Sequence, residues 1–411
     1  MKKTAPIALA FALAACTAGA DISRDCILTL LNSLAGESPR RCEEAARAVA
    51  EEAEAGKPLH QFVLALASTR PGAPPSARAL PEETRKKYLN DNRLRIKNLA
   101  LQKENPLAWY LLYLDGHDKS LLRRAADGDN VQALNELATE GFAEILRKEK
   151  RSEADVRRLR ECFGRYNRAA AKNDGNALYN LGVCYLNGWG CRKDEAMALD
   201  SLRRAAALEQ PKAVNLLGEL LRDGRAGCTP DAEAAVRNFA QCAMLEYPKG
   251  LYNYAKALLS GQGAEKNPKR AAALMRKAAL TGLVEAMDAY AEILSAGAGE
   301  GEEAEKNRHE AVAWWRHCAE DKKYPPSMDS LGRCFALGLG VPKDGRAAAV
   351  WYGRAAEAGH VPAMLHLAEM CEDGEGGMKK SHYNANWWRT RAAAAGGDRN
   401  ARVWLASHER E

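Results

Sequence analysis

The second half of the chain repeats itself. From Ala177 the run ALYNLGVCYLNGWGCRKDEAMALDSLRRAAA recurs with variation. A small residue stands at Gly182, Gly218, Ala255, Ala291, Gly332 and Ala368, at successive spacings of 36, 37, 36, 41 and 36 residues. Six positions after each comes a glycine: Gly188, Gly224, Gly261, Gly297, Gly338 and Gly374. A second glycine follows at Gly190, Gly227, Gly263, Gly299, Gly340 and Gly376. A unit of this length is one helix pair that cannot bury its apolar face alone, so stacked copies must share a core. The expected fold is all-α, a right-handed α-solenoid of stacked antiparallel helix pairs.

Each repeated position has a physical task. The first small residue lets the two helices of a pair approach closely. The glycine six residues on suits the left-handed position that ends the first helix, a backbone conformation costly for other residues. Asp194, Asp231, Asn267, Asn307 and Asp344 stand where the second helix needs an N-cap, and Pro268 suits the position just after one. Alanine pairs such as Ala205-Ala206 and Ala355-Ala356 follow bulky Leu202 and Trp351, with Met275 in the same role. Small against large at helical spacing is how neighbouring helices interdigitate.

The pattern A..LG..Y..G.G…D..A…WY..AA..G resembles the Sel1-like repeat, a relative of the tetratricopeptide repeat. The resemblance covers about residues 176–397 in six units. Ser327 departs from the pattern's small Ala, and the fourth unit carries extra residues at 300–307. A degenerate unit is expected over 131–175, with 25–130 forming an N-terminal helical region or diverged repeats and 398–411 a C-terminal cap. Residues 45–55 and 82–101 read as surface helices, and proline-rich 70–81 reads as a loop.

The chain opens MKKT and then runs apolar from Ala5 to Ala15, a charged start and a short hydrophobic stretch of the kind found in export signals. Two processing sites compete. Leu13-Ala14-Ala15-Cys16 resembles the bacterial lipobox, which would make 1–15 the signal peptide, Cys16 the lipidated residue and 16–24 a linker. Ala18-Gly19-Ala20 fits ordinary cleavage. The first reading is preferred, and by resemblance to known lipoproteins Thr17 after the cysteine favours the outer membrane. The expected location is the periplasm-facing cell envelope, with a membrane attachment through lipid. Past this segment no uncharged apolar run approaches the roughly 18 residues a spanning helix needs.

Composition agrees with a folded, exported scaffold. Hydrophobic residues make up 46% and charged residues 28% of the 411, which excludes a disordered chain. The net charge of +6 is mild and its signs are interspersed, so nucleic acid is not an expected partner. Residues 147–168 hold nine basic and four acidic side chains, which reads as a solvated helix face. Of eleven cysteines, ten remain once Cys16 is set aside, an even number suited to an oxidising compartment. Cys26–Cys42 would close a short loop, contributing about 3 kcal/mol. Cys318 and Cys334 resemble the helix-to-helix staples of cysteine-rich Sel1-like proteins. Placed on the repeats in the same way, Cys191 pairs with Cys228 and Cys162 with Cys184, while Cys242 and Cys371 are left as buried thiols.

No S-x-x-K, G-x-S-x-G, H-E-x-x-H, Walker A or C-x-x-C motif is present. His309-Glu310 lacks a second ligand at Ala313, and His360 and His366 lie six apart, on different faces of a helix. Neither metal nor cofactor is expected, and the tandem aromatics Trp314-Trp315, Trp351-Tyr352 and Trp387-Trp388 read as core. Some cysteine-rich Sel1-like proteins are β-lactamases or penicillin binders, so the resemblance keeps that alternative, and a secreted effector engaging host proteins is another. The primary expectation is a monomeric scaffold that binds a protein or peptide.

In tetratricopeptide-like arrays the first helix of each pair lines a concave groove. By position relative to the small residue, the groove would present Tyr179, Val183, Asn187, Asn215, Glu219 and Arg222. Tyr252, Lys256, Ser260, Asp288, Glu292, Ser295, Asp329 and Arg333 follow on later units. Their mixed charge suits a segment held by hydrogen bonds and a few apolar anchors.

Overall fold

The computed structural model describes residues 39–70, 73–297 and 301–406, with Ile27, Leu30 and Leu31. The expected signal segment, Cys16 and Cys26 lie outside the described residues. Among those described, every regular element is a helix. The chain forms two compact units, one of residues up to 250 with 262–264, the other of 251–261 and everything from 265.

The first unit begins with α1 (Pro39–Glu54), α2 (Pro58–Ser68), the short α3 (Pro75–Arg78) and α4 (Glu82–Lys103). Antiparallel pairs follow: α5 (Pro106–Gly116) with α6 (Lys119–Asp127), and α7 (Val131–Leu146) with α8 (Glu153–Ala170). Next come α9 (Gly175–Asn187) with α10 (Glu195–Ala207), and α11 (Pro211–Asp223) with α12 (Ala232–Met244). Helix α13 (Pro248–Ser260) starts in the first unit and lies mostly in the second. The second unit continues with α14 (Pro268–Leu280), α15 (Val284–Ala296), α16 (Glu302–Glu320) and α17 (Pro325–Leu337). It closes with α18 (Gly345–Glu357), α19 (Val361–Asp373), α20 (His382–Ala395) and α21 (Arg399–Leu405). Within each unit, from α5 to α12 and from α14 to α21, every helix packs on the next.

The capping chemistry works largely as the spacing predicts. Asp194, Asp231 and Asn267 accept from the backbone N–H three residues on, at 3.0, 2.8 and 3.0 Å, and Asp344 accepts from Arg346 and Ala347. Asn307 is a correction. It lies inside α16, which starts at Glu302 because Glu302, Glu303 and Glu305 complement the positive end of the helix and draw the inserted residues into it. Gly188, Gly224, Gly338 and Gly374 end their helices with φ of 69, 62, 73 and 73°. Gly297 departs from this series, with φ −80°, in the unit that carries the insertion.

Close approach within a pair is explicit. A Cβ on Gly182 would fall 2.6 Å from the Leu202 side chain, on Gly218 2.6 Å from Phe239, and on Gly332 2.6 Å from Tyr352. The large partner in the fifth repeat is therefore Tyr352, 4% exposed, and not Trp351. The same division holds in the other tandem aromatics: Trp315 and Trp388 are buried, while Trp314 and Trp387 are only half-buried. The outer aromatics meet cations or rings, with Arg354 over Trp351, Arg391 over Trp387 as well as Trp388, and Tyr290 edge-on to Trp314.

Candidate functional site

The first helices of consecutive pairs in the first unit line two adjoining hollows. One, of about 380 Å³, is walled by Tyr110 of α5, Asn135 and Glu136 of α7, Asn176, Tyr179 and Asn180 of α9, and Lys212 of α11. The other, of about 500 Å³, lies between Tyr179, Val183 and Asn187 on α9 and Leu216 and Leu220 on α11. Tyr179 belongs to both.

The polar hollow is held by a network running across the helix seams. Tyr113 and Tyr110 both donate to the Glu136 carboxylate, at 2.5 and 3.1 Å, and burial pushes both phenols up. Asn135 donates to Asp174, the N-cap of α9, at 2.8 Å, and burial pushes the Asp174 carboxyl up despite that bond. Gln210 donates to Asn176 at 2.7 Å. Each bond ties one pair's first helix to its neighbour, fixing the spacing of the wall. Asn180 offers its amide to the hollow, and the buried Asn135 Oδ1 has no hydrogen-bond partner.

A profile of the Sel1 repeat matches residues 175–209, 211–247, 248–282, 284–316, 325–360 and 361–397, together more than half of the sequence. The chain belongs to the Sel1 repeat family. It is 27% identical over 217 residues to chitin synthase regulatory factor 3 of Schizosaccharomyces pombe, covering 51% of this chain and 23% of that protein. An uncharacterised protein of Neisseria meningitidis serogroup B is 28% identical over 241 residues, covering 51% of this chain and 50% of its own. The chain thus spans half or less of the length of these relatives. A solved Sel1 repeat protein from Oxalobacter formigenes superposes with a TM-score of 0.54 at 23% identity, covering 62% of this chain and 96% of that one.

Within this Sel1 array, the residues expected on the groove divide. Tyr179, Val183 and Asn187 do line the hollows. Asn215 and Asp288 do not: they are 4% and 9% exposed, turned into the seams between first helices. Asn215 donates to Glu219 at 3.0 Å, and Glu219 also pairs with Lys249 at 3.5 Å. Asp288 accepts from Ser327 of the next first helix at 2.6 Å. Arg222 is spent on Asp223 at 2.7 Å, over the Phe239 ring. In the second unit Lys256 lies over Tyr252, while Ser260, Glu292 and Arg333 are exposed and Ser295 is half-buried.

Asp329 gathers a cluster that helical spacing hides. His366 Nδ1 is 2.9 Å from its carboxylate and His360 Nε2 4.0 Å. The two histidines converge because His360 is the N-cap of α19, outside the helical turn count. The hydrogen bond to Asp329 raises the His366 pKa, whereas burial lowers that of His360.

The expected disulfides are also corrected. Cys162, Cys184, Cys191, Cys228, Cys318 and Cys334 carry free thiols, so none of Cys162–Cys184, Cys191–Cys228 and Cys318–Cys334 is formed. Each thiol faces its own surroundings. Cys162 fills the space over Gly141, Cys191 donates to the Cys184 carbonyl at 3.6 Å, and Cys318 turns toward Ser327. Cys242 is a buried free thiol, donating to the Pro211 carbonyl at 3.3 Å, and Cys371 is buried. For Cys26–Cys42, Cys42 is buried and Cys26 lies outside the described residues. Among the described residues no group of three or more His, Cys, Asp and Glu is placed to hold a metal ion.

Proposed function

We propose that this chain is a protein-interaction scaffold whose first-helix face holds an extended segment of a protein partner. Sel1 repeat proteins generally bind proteins, and the reading assigns no catalytic residue. The observation that carries it is the pair of hollows meeting at Tyr179. A polar one offers amides and mixed charge, and an apolar one is walled by Val183, Leu216 and Leu220. Backbone groups of a bound strand need donors and acceptors at the first, and an apolar side chain is best buried at the second. Tyr179, a large and rigid anchor shared by both, is the type of residue on which binding energy concentrates.

The proposal includes export and attachment to the envelope through a lipidated Cys16, supported by Leu13-Ala14-Ala15-Cys16 after a charged and apolar start. Mass spectrometry of the mature N-terminus decides this part, since an acylated Cys16 supports it and cleavage after Ala20 overturns it.

The binding face is tested by placing a photocrosslinking phenylalanine analogue at position 179 and, as control, at exposed Asp200 on α10. Crosslinks to a protein from position 179 and not from 200 are expected. Crosslinks from 200 alone, or equally from both, overturn the assignment of the face.

A further inference from the structure

A third hollow lies on the other side of the helix pairs, in the second unit, between the second helices α18 and α20. Its volume is about 740 Å³, within the range of small-molecule sites. Its base is closed by the buried Leu367 and Trp388, and the apolar surface it offers comes from exposed Val350 and half-buried Met378. The rim is exposed and cationic, with Arg354, Lys379 and Lys380 set against the one carboxylate of Glu357. Among the described residues neither lysine makes an ion pair, and Arg354 lies over the Trp351 ring rather than on a carboxylate.

Gly353 keeps the hollow open. Nine residues after the N-cap of each second helix, the other repeats place Arg203, Ala240, Arg276 and Thr390; the insertion-bearing unit has Arg316 at the aligned position. Glycine is unfavourable in a helix interior. Here neither a positive φ nor a close neighbour requires it, since a Cβ at Gly353 would meet nothing within 4 Å. A larger side chain would instead project into the cavity that Gly353 lines.

We infer that this hollow binds a small amphiphilic carboxylate, of the kind a medium-chain fatty acid presents. The alkyl chain lies on Val350 and Met378, and the carboxylate meets Lys379, Lys380 and Arg354. An apolar surface alone would accept any greasy molecule, but three cations against one acid select an anion. The site is separate from the first-helix face and does not depend on the scaffold reading.

The test is a calorimetric titration of the full chain with decanoate, octanoate, acetate and octylammonium, each below its micellar concentration. Decanoate binds and octanoate binds more weakly, by about four-fold per methylene removed. Acetate and octylammonium do not bind. Gly353→Leu, which improves helix propensity and so keeps the fold, lowers decanoate affinity at least ten-fold with unchanged circular dichroism. Lys379→Glu with Lys380→Glu does the same. Absence of decanoate binding overturns the inference, as does equal binding of octylammonium or undiminished binding by Gly353→Leu.

Discussion

Asp288 shows what one side chain costs this fold. It occupies the same register as Tyr110, Asn135, Tyr179 and Asn215, the fifth residue of a first helix. Tyr110, Asn135 and Tyr179 line the hollow from this register, whereas Asn215 and Asp288 are buried at it. Burial, reinforced by Glu292, pushes the Asp288 carboxyl up to about 6 against the pull of Ser327 and Arg333. The Trp315 indole N–H points at the same carboxyl without reaching hydrogen-bond geometry. The folded state therefore holds a proton that the unfolded chain releases near pH 4. Stability from this group is full below about pH 4, falls as pH rises to about 6, and stays lost above, up to roughly 3 kcal/mol. Asp288→Asn keeps an acceptor for Ser327 and removes the titration. Melting curves should place the variant above the wild type at pH 7.5, with the gap closing toward pH 4. A gap that does not change with pH would show that Asp288 is ionised without penalty.

At the scale of elements, the left-handed residue that closes each pair explains how far the repeat could be read. It is Gly282, Gly359 and Gly397 in three places, but Asp129, Asn173, Glu209, Glu246 and Lys323 in the others, all at positive φ. The glycine ending the first helix exposed the period from Gly188 onward. Upstream, Asp129 and Asn173 fill the closing position and α5 is apolar almost all round, so neither turn chemistry nor periodicity marks α5/α6, and α7/α8 falls where only a degenerate unit was expected, over 131–175. Tyr110 and Asn135 stayed hidden for that reason, while Tyr179, Val183 and Asn187 were legible from register alone. The burial of Asn215 and Asp288 was not legible, because it depends on the partners they find, Glu219 and Ser327, rather than on spacing. Lys323 holds φ of 54° where three sister repeats have glycine. Lys323→Gly should relieve that strain and stabilise the chain by about 0.5–1 kcal/mol in urea unfolding. Asp194→Ala, which deletes the cap on the Met197 N–H, should destabilise by about 1 kcal/mol. A Lys323→Gly variant less stable than wild type would mean the lysine makes a contact worth more than its backbone strain.

Over the whole molecule, every helix of the repeat region within a unit packs mainly on its sequence neighbours, so stability is a sum of pair and interface contributions. The buried thiols report it position by position. Burial pushes Cys184 up to about 12 and Cys334 up to about 11, so both are protonated and shielded at neutral pH, and alkylation requires the helices around them to open. Ending the chain at Gly359 removes α19 to α21, and with them Met364, Leu367 and Trp388 from the cluster that contains Leu331, Cys334 and Tyr352. Alkylation of Cys334 by iodoacetamide, followed by peptide mass spectrometry, should then quicken at least ten-fold. Cys184 lies in a different unit with its own neighbours, and its rate should stay as in the full chain. Equal acceleration at both sites would show that the chain opens as one cooperative body. No acceleration at Cys334 would show that the final pairs lend their neighbours no stability, contrary to a core that each pair completes for the next.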